Sequence, residues 1–351
     1  MTKANIVYWY GLRDMPKDGG GLRALAWYEA LTHLGFETQI YSLRGTPLAG
    51  HRDNWLRSMK KRLIPMPLKS SLPEMRRADV NVVTVPAVFD SAASALDGGT
   101  LVFDWMDLWS VNSRTMGKSS FMSRPGGLLQ GAYWDAQERR LIRRPAANVY
   151  AGYEDKLRGV VEGAAPGYWV PTPITAVRSD RPRDPSTSLR VGFIANFAYT
   201  PNIMSLRKFF RRYGEAFKNR GIDVVVAGFG SEIVRTWDVS ATVLGRIDSL
   251  SGFYQGIDAA LVPIDHGGGI KAKAVEAIAH GVPVFGTQHV ARGFSPEWAA
   301  YIGNIDDLLT DSPTFPPIPT ANSFDARFSQ TAFNQAVNNI LSQAAQVELS
   351  E

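Results

Sequence analysis

Hydrophobic and polar positions in the first half of the chain alternate between strand-like runs and a helical period. Asn5–Tyr10 predicts a strand, and after a loop at 11–21 the apolar residues of Leu22–Leu34 recur at helical spacing. Gly35 stands where a helix C-terminus is commonly capped, and Thr38–Leu43 predicts the next strand. The further strands predicted here are Val80–Val85, Leu101–Trp105 and Asn148–Ala151. Strand–helix–strand units at this spacing predict parallel strands covered by helices.

The same alternation starts again after a proline-rich interruption. Residues 171–188 hold four prolines and little periodicity, which is typical of a linker. A helix is predicted over Met204–Asn219, and an amphipathic helical pattern runs from Phe324 to the end. The strands predicted in this half are Leu189–Ala195, Asp223–Ala227, Thr242–Leu244, Ala259–Val262 and Val282–Phe285.

This pattern predicts two doubly wound, Rossmann-like α/β domains that face each other across a cleft. Ligands of such domains bind at the carboxyl ends of the strands. We expect one domain at 1–172, a linker at 173–188 and a second domain at 189–322. The remaining helix, 323–351, is free to pack back on the first domain.

Composition narrows the class of protein. The 351 residues are 45% hydrophobic and 20% charged, which excludes a disordered tail, a collagenous repeat and a coiled coil. The sequence has no cysteine, so a disulfide scaffold, a thiolate zinc site and a cysteine nucleophile are excluded. The first residues show no leader pattern, and no window approaches the roughly 20 apolar residues that span a bilayer. These features predict a soluble, cytoplasmic protein.

Charge is distributed unevenly along the chain. Residues 1–200 carry a net charge of +8 and residues 201–351 a net charge of −3. The asymmetry indicates that the first half faces an anionic partner, with nucleic acid, a phospholipid surface and a phosphorylated substrate as the alternatives. Nucleic acid is disfavoured because the sequence contains no recognised nucleic-acid module and the charge is modest.

The segment Leu261–Thr287, LVPIDHGGGIKAKAVEAIAHGVPVFGT, carries the strongest chemical signal. It predicts a strand, a triple-glycine turn at 267–269, a helix over Ile270–His280 and another strand. Glycines let the backbone approach a ligand closely, and the unpaired amides of a helix start attract anions. Lys271 and Lys273 add positive charge where the helix dipole alone favours acids, so a bound anion is expected to offset them. The segment therefore predicts a phosphate or pyrophosphate site.

One face of the same predicted helix carries Lys273, Glu276 and His280. A carboxylate at Glu276, behind a pyrophosphate pocket, is placed to accept hydrogen bonds from both hydroxyls of a ribose. The alternative is a surface salt bridge between Lys273 and Glu276, worth only about 0.3–0.5 kcal/mol. The glycines, the two lysines and the Gly281–Pro283 helix stop favour the binding site.

The segment GGGIKAKAVEAIAHGVPVFGT resembles the donor-binding signature of GT-B glycosyltransferases, especially the large retaining family 4 type. Upstream, residues 191–202, 224–230 and 243–264 resemble, in order, parts of that family's nucleotide-sugar domain. The glycine loop at 18–21 resembles the family's acceptor-side start. The resemblance implies transfer of a sugar from a UDP-, GDP- or TDP-linked donor to an acceptor hydroxyl, with retention and without cofactor or metal. It places the acceptor in polysaccharide, glycolipid or glycoconjugate synthesis.

The resemblance also assigns residues and exposes a departure. Glu276 corresponds to the ribose-binding second acid of the family's Glu-x7-Glu pair, and the first acid falls at Gly268. Backbone amides of Gly268 and Gly269, or the side chains of Asp265 and His266, must then serve the sugar.

Two further departures concern charged groups. The Arg/Lys pair that many members use for the leaving diphosphate is not evident in 191–202, so Lys271 or Lys273 is the expected substitute. The acceptor-domain histidine is missing as well, and the comparable segment is Phe103–Asp107.

The candidates fall into three groups. The donor-binding candidates are Glu276, Lys273, Gly268, Gly269, Ile270, Asp265, Arg246, Gly230, Phe229, Asn196 and Tyr199. The catalytic candidates are Asp107, His266 and Lys271, and the acceptor-side candidates are Gly19, Gly20, Gly21 and Asp104.

Each of the weaker candidates has a structural alternative. Asp104 and Asp107 end a strand, where they contact the acceptor or act as a base, or else cap a helix or turn. Arg246 borders the nucleotide or lies on the surface, and Phe229 stacks on the base or packs in the core. The glycines at 19–21 approach the phosphates or form a mobile loop. For a metal ion, neither histidine spacing nor a carboxylate cluster gives a site.

A basic and apolar segment predicts peripheral membrane contact. Trp55 is followed by Arg57, Lys60, Lys61 and Arg62, and such interleaving is typical of segments that lie on anionic lipid. Residues 139–144 repeat the pattern. An ordinary solvated helix face is the alternative.

Two other functions remain open. One is a non-catalytic relative or partner subunit that binds a nucleotide sugar, motivated by Gly268 and the missing histidine. The other is a dinucleotide-dependent dehydrogenase, which is disfavoured because no Gly-x-Gly-x-x-Gly opens a first strand–helix turn.

Overall fold

The computed structural model describes residues 2–16, 18–43, 72–96, 98–117, 124–175, 177–178 and 188–348. The chain divides into two compact units. The first unit comprises Met1–Pro173, Gly267–Ile270 and Arg327–Glu351. The second unit comprises Ile174–His266 and Lys271–Ala326. The first unit thus contains the glycine turn and the C-terminal segment, which are far from the rest of it in sequence.

All strands of both units pair in parallel. The strands are β1 (Lys3–Tyr8), β2 (Glu37–Ser42), β3 (Val80–Val83), β4 (Thr100–Trp105), β5 (Ala147–Tyr150), β6 (Gly167–Trp169), β7 (Arg190–Ile194), β8 (Asp223–Ala227), β9 (Thr242–Gly245), β10 (Ala259–Val262), β11 (Val284–Gly286) and β12 (Ile302–Asn304). The first unit holds a six-stranded sheet in the order β2-β1-β3-β4-β5-β6, and the second holds one in the order β12-β11-β10-β7-β8-β9. Two six-stranded parallel sheets with covering helices confirm the predicted Rossmann-like α/β class.

The α-helices of the described residues cover these sheets. They are α1 (Gly19–His33), α2 (Phe89–Ala95), α3 (Trp109–Gly117), α4 (Arg124–Leu141), α5 (Tyr153–Arg158), α6 (Thr200–Asn219), α7 (Leu250–Gln255), α8 (Ala272–Ala279), α9 (Gln288–Ala291), α10 (Pro296–Ala299), α11 (Ala321–Phe328) and α12 (Gln330–Glu348).

The structure corrects several predicted boundaries. Helix α1 begins at Gly19 rather than Leu22, because the Asp18 side chain caps it by accepting a 2.9 Å hydrogen bond from Gly21 N. Helix α8 begins at Ala272 rather than Ile270, since Lys271 keeps an extended backbone at the N-cap. The predicted single C-terminal helix is two helices, α11 and α12. Strands β6 and β12 were not predicted, because runs of three residues carry no measurable periodicity.

A buried ion pair lies inside the first unit. Arg23 of α1 and Asp104 of β4 are 1% and 0% exposed, and Arg23 Nη2 lies 2.6 Å from Asp104 Oδ1. Arg23 also donates from Nε to Asp104 Oδ2 at 2.8 Å and from Nη1 to the carbonyl of Val170 at 2.8 Å. The guanidinium lies 5.8 Å from the ring of Phe333 on α12. The two charges therefore satisfy each other within the core and connect four parts of the unit.

The position of Asp104 corrects a sequence-based assignment. Asp104 was an acceptor-side candidate because it ends an apolar strand. Its carboxylate instead accepts three hydrogen bonds from Arg23 and has no exposed surface. A side chain held in this way supports the fold rather than contacting an acceptor.

The C-terminal helix completes the core of the first unit. Phe333, Val337 and Ile340 of α12 are buried in the same cluster as Trp27 of α1. The rings of Trp27 and Phe333 meet edge to face with centroids 5.4 Å apart. Because this apolar surface is continuous, α12 stabilises a sheet whose strands lie more than 150 residues earlier in the sequence.

The predicted membrane-contact segment, Trp55 to Arg62, lies outside the described residues. The second basic run is described, and three of its arginines pair with acids. Arg139 lies 3.3 Å from Asp135, and Arg140 and Arg144 lie 3.0 and 3.6 Å from Asp90. None of the helices that the structure describes is both long enough and apolar enough to cross a membrane.

We expect Asp104→Ala to lower the free energy of unfolding by about 3–5 kcal/mol, because it leaves the Arg23 guanidinium buried without its carboxylate. Denaturant titration followed by circular dichroism measures the change. The matched control is Glu154→Ala, which removes the half-exposed Glu154–Arg158 pair and costs at most about 0.5 kcal/mol. A loss of the same size in both variants would contradict a dominant role for the buried pair.

Candidate functional site

The glycine turn between β10 and α8 is held by side chains of the first unit. Each of its three amides donates to a different side chain: Gly267 N to Thr115 Oγ1 at 3.2 Å, Gly268 N to Asn112 Oδ1 at 2.7 Å and Gly269 N to Asp155 Oδ2 at 2.6 Å. Three consecutive donors thus face three acceptors from α3 and α5. Thr115, Asn112 and Asp155 were not among the sequence candidates, and no local motif marks them.

Glycine is required along this turn for two physical reasons. Gly267 and Gly269 have φ values of 83° and 69°, in the region that side-chain-bearing residues rarely adopt. At Gly268 the reason is space, since a Cβ there would lie 3.0 Å from both Asp107 Cβ and Leu108 N. A glutamate at position 268 would therefore require these neighbours to move, which accounts for the absence of the first acid of the Glu-x7-Glu pair.

Asp107, a predicted catalytic residue, lies beside this turn. It follows β4, is half-buried and accepts a hydrogen bond from Asn112 Nδ2. The amide group of Asn112 thereby connects the Asp107 carboxylate to Gly268 N. The structure brings Asp107 and Gly268 together, with Asn112 between them.

Helix α3, which carries Asn112 and Thr115, is anchored at its start by Glu138 of α4. Glu138 Oε1 accepts from Ser110 N at 2.9 Å, and Oε2 accepts from Ser110 Oγ. Glu138 is only 5% exposed. Burial raises the pKa of Glu138 to about 7, the hydrogen bonds from Ser110 oppose the shift, and Asp155 and Asp135 add to it.

A small cavity of about 150 Å³ lies next to Glu138. Its lining includes Ser110, Arg139 and Arg158. The hydroxyl of Tyr150 is buried nearby, with no hydrogen-bond partner among the described residues, and burial raises its pKa, with smaller effects from Asp155 and Glu138. The neighbourhood is therefore polar but poorly hydrated.

Helix α8 of the second unit carries the predicted ribose carboxylate. Lys273 and Glu276 are half-buried one turn apart on this helix. Burial lowers the pKa of Lys273 against the attraction of Glu276, and burial raises the pKa of Glu276 against the opposing effects of Lys273 and Tyr254. Both charges are thus partly desolvated, unlike a solvated surface pair.

His280, at the C-terminal end of α8, packs against Tyr254 of α7. Their rings stack with centroids 4.6 Å apart and an interplanar angle of 21°. Burial lowers the pKa of His280. Burial raises the pKa of Tyr254, and the Glu276 carboxylate adds to that shift. This arrangement places the Tyr254 ring between His280 and Glu276 as a supporting contact.

Lys271 differs from the prediction in its backbone. It is the N-cap of α8, with φ −84° and ψ 101°, and its carbonyl accepts from Ala274 N at 2.9 Å. Ile270 precedes it and is half-buried. Because the helix starts two residues later than predicted, the free amides of its first turn are those that follow Lys271 rather than those of the glycine turn.

His266, another catalytic candidate, belongs to a cluster at the end of β10. His266 Nδ1 lies 3.2 Å from Asp265 Oδ1 and 3.5 Å from Ser205 Oγ. Lys208 of α6 forms an ion pair with Asp265. The hydrogen bond to His266, together with Lys208, holds the pKa of Asp265 well below its usual range despite burial. Asp265 is therefore ionised and orients the His266 ring.

The remaining donor-side candidates lie on loops at the carboxyl ends of β7, β8 and β9. Phe229 is 58% exposed between two positive-φ glycines, Gly228 and Gly230. Core packing of this ring is excluded, and its face is open to a nucleobase. Asn196 uses its side chain to accept a 2.9 Å bond from Ala198 N, which closes the loop after β7. Tyr199 and Arg246 are exposed.

The glycines at 19–21 form the first turn of α1 rather than a mobile loop. A Cβ at Gly21 would lie 1.9 Å from the carbonyl oxygen of Pro16, and a Cβ at Gly20 would lie 2.6 Å from Tyr8 Oη. Close packing therefore explains why two of these three positions, 20 and 21, are glycine. Burial raises the pKa of Tyr8, with Asp18 adding to the shift.

Comparison with known proteins bears on both units. Residues 188–303 match the family described as Glycosyl transferases group 1. The matched residues lie mostly in the second unit. No curated protein matches the sequence.

The fold of the chain is shared with solved structures at low sequence identity. Sucrose-phosphate synthase from Thermosynechococcus elongatus has a TM-score of 0.67 and 12% identity over 99% of this chain and 100% of that chain. Anabaena Alr3699/HepE in complex with UDP has a TM-score of 0.58 and 11% identity over 97% and 100%. α,α-Trehalose 6-phosphate synthase from Burkholderia multivorans has a TM-score of 0.57 and 12% identity over 99% and 100%. The fold is therefore that of GT-B glycosyltransferases.

We expect Glu138→Gln to stabilise the protein at about pH 8 by about 2–3 kcal/mol, because it keeps an acceptor for Ser110 and removes a buried charge. The folded pKa of about 7 lies above the unfolded value of 4.5, so the folded state binds the proton more tightly. The advantage of the variant should shrink as pH falls through 7 and disappear near 4.5. Denaturant titrations at several pH values measure it, with Glu154→Gln as the exposed control. A difference independent of pH would contradict the raised pKa.

Proposed function

We propose that this protein transfers a sugar from a uridine diphosphate donor to an acceptor hydroxyl. The observation that carries the proposal is the poorly hydrated Lys273–Glu276 pair on α8, within the domain that matches group 1 glycosyltransferases. The Anabaena protein of the same fold binds UDP, which supports this base over the guanine and thymine alternatives.

The donor is proposed to bind along the second unit. Glu276 accepts hydrogen bonds from the ribose hydroxyls, and the exposed ring of Phe229 stacks on the base. Asn196, Tyr199, Gly230 and Arg246 border the nucleotide from the loops after β7, β8 and β9. Asp265 and His266, at the end of β10, and the backbone of Ile270 serve the sugar.

Catalysis in this proposal is mainly electrostatic. Negative charge accumulates on the diphosphate as the bond to the sugar breaks, and Lys271 and Lys273 stabilise it together with the amides at the start of α8. Asp107, held by Asn112, is the candidate base or acceptor contact in the first unit. The amides of Gly267–Gly269 already bind protein acceptors, so their part is to fix the turn that leads into α8.

The finer parts of the proposal rest on the resemblance alone. They are retention at the anomeric carbon, family 4 membership, operation without a metal ion or cofactor, and an acceptor from polysaccharide, glycolipid or glycoconjugate synthesis. Attachment to the inner face of a membrane through Trp55 to Arg62 is also proposed, and the uneven charge of the chain and the interleaved cations and apolar residues of that segment support it.

A second candidate is a non-catalytic protein that binds a nucleotide sugar. The crowded backbone at Gly268, which leaves no room for the usual first acid, favours it. Incubation with UDP-glucose, UDP-galactose and UDP-N-acetylglucosamine, followed by measurement of released UDP, separates the two. Binding of UDP without release from any donor would overturn the catalytic proposal, and failure to bind UDP, GDP or TDP would overturn both.

We expect Glu276→Ala to weaken UDP affinity by about 1.5–3 kcal/mol, the range for a charged hydrogen-bond partner. Isothermal titration calorimetry measures the affinity. The control is Glu297→Ala, which changes an exposed glutamate of the same unit and should leave affinity unchanged. Equal affinities for wild type and Glu276→Ala, with folding intact, would reject the ribose assignment.

The two lysines are expected to differ in their effects on turnover. Lys273→Ala should weaken donor binding and destabilise Glu276, because the two side chains share a desolvated face. Whichever lysine meets the leaving diphosphate should lower kcat by about tenfold or more when removed, since its interaction strengthens in the transition state. Steady-state kinetics of both alanine variants decide between them, and small equal effects would show that neither contacts the diphosphate.

A further inference from the structure

We infer that Glu138 is a positioning residue for the glycine turn, and that it acts through Ser110 and helix α3. The inference rests on the proposed function for its catalytic consequence, because the turn leads directly into α8. Its structural content, the order of residues 267–269, can be measured independently of any activity.

The first step is the anchoring of α3. Ser110 is the second residue of this helix, and its amide is one of the four that have no partner within a helix. Glu138 of α4 supplies the missing acceptor at 2.9 Å and also accepts from Ser110 Oγ. A carboxylate at a helix start is favoured by the helix dipole as well. Glu138 therefore caps α3 from a neighbouring helix.

The second step is the position of the residues that hold the turn. Asn112 lies two residues after Ser110, within the first turn of α3, which unwinds first when its cap is lost. Asn112 Oδ1 accepts from Gly268 N at 2.7 Å, and Thr115 Oγ1 accepts from Gly267 N at 3.2 Å. Fraying of the first turn would thus remove an acceptor from Gly268 directly and shift the acceptor for Gly267.

The third step concerns the free-energy cost of burying the Glu138 carboxylate. Glu138 is 5% exposed, and charges surround it on several elements: Asp135 on its own helix, Asp155 on α5, and Arg139 and Arg158 at the cavity. A buried carboxylate beside two other acids contributes little net stability, since desolvation offsets its hydrogen bonds. Its physical effect is to hold Ser110 in place.

Hydrogen exchange measured by mass spectrometry on the full chain tests the inference. Glu138→Ala should speed exchange in the peptides covering 109–117 and 267–270 by about tenfold, the factor for losing one hydrogen bond. Exchange in α6 of the second unit should not change. Glu138→Gln keeps a side-chain oxygen for Ser110 N and should remain within about twofold of wild type.

Two further variants complete the design. Gln137→Ala is the matched control, because Gln137 precedes Glu138 and its side chain accepts a hydrogen bond from Arg140 on the same helix. It should leave exchange unchanged. Asn112→Ala should speed exchange at 267–270 by itself, and combining it with Glu138→Ala should add little there, as expected for residues that act in series.

The outcomes separate the inference from the proposed function. If Glu138→Ala lowers thermal stability but leaves exchange at 267–270 unchanged after correction for that loss, the positioning role is wrong. If exchange rises as expected and wild type turns over a UDP-sugar, kcat should fall about tenfold while KM for the donor stays within about twofold. If wild type shows no turnover with any nucleotide sugar, the proposed function fails, and the exchange result still decides the role of Glu138.

Discussion

The Arg23–Asp104 ion pair is the constraint on which the first unit depends. Its atoms have almost no contact with water, so each charge is tolerable only because the other is within 2.6 Å and the remaining donors meet the Val170 carbonyl and Thr172. Because the pair connects α1, β4, the segment after β6 and α12, these parts must assemble together. The C-terminal helix is therefore part of the core of the first unit and not an appendage.

The same unit sets the geometry of the glycine turn. Its three amides are matched by Thr115, Asn112 and Asp155, and the backbone passes so close that a Cβ at Gly152 would lie 2.8 Å from Gly269 Cα. Glycine in this turn serves intramolecular packing first. In the proposed function, the sugar contacts that the resemblance assigned to these amides or to Asp265 and His266 therefore fall to the side chains of Asp265 and His266.

On α8, the partial burial of two charged side chains is the feature that supports a donor site. The pKa values of Lys273 and Glu276 shift in opposite directions from their ordinary values because both side chains are partly buried. The stacked rings of Tyr254 and His280 lie beside them. In the proposed function, these two charges on one helix face bind the ribose hydroxyls and the anionic oxygens of the donor.

The sequence by itself determined the class of fold and the candidate donor helix. Period-two and helical runs depend on neighbouring residues, so strands such as Asp223–Ala227 and Ala259–Val262 were predicted to the residue. The spacing of Lys273, Glu276 and His280 likewise depends only on helix geometry. The tertiary structure alone decided which polar groups meet. Asp104 became part of a buried ion pair, Phe229 remained exposed, and Glu138, Asn112 and Asp155 joined one network around the glycine turn. Such contacts join residues 28 to 156 positions apart in the sequence. A local sequence pattern cannot indicate a partner at that distance.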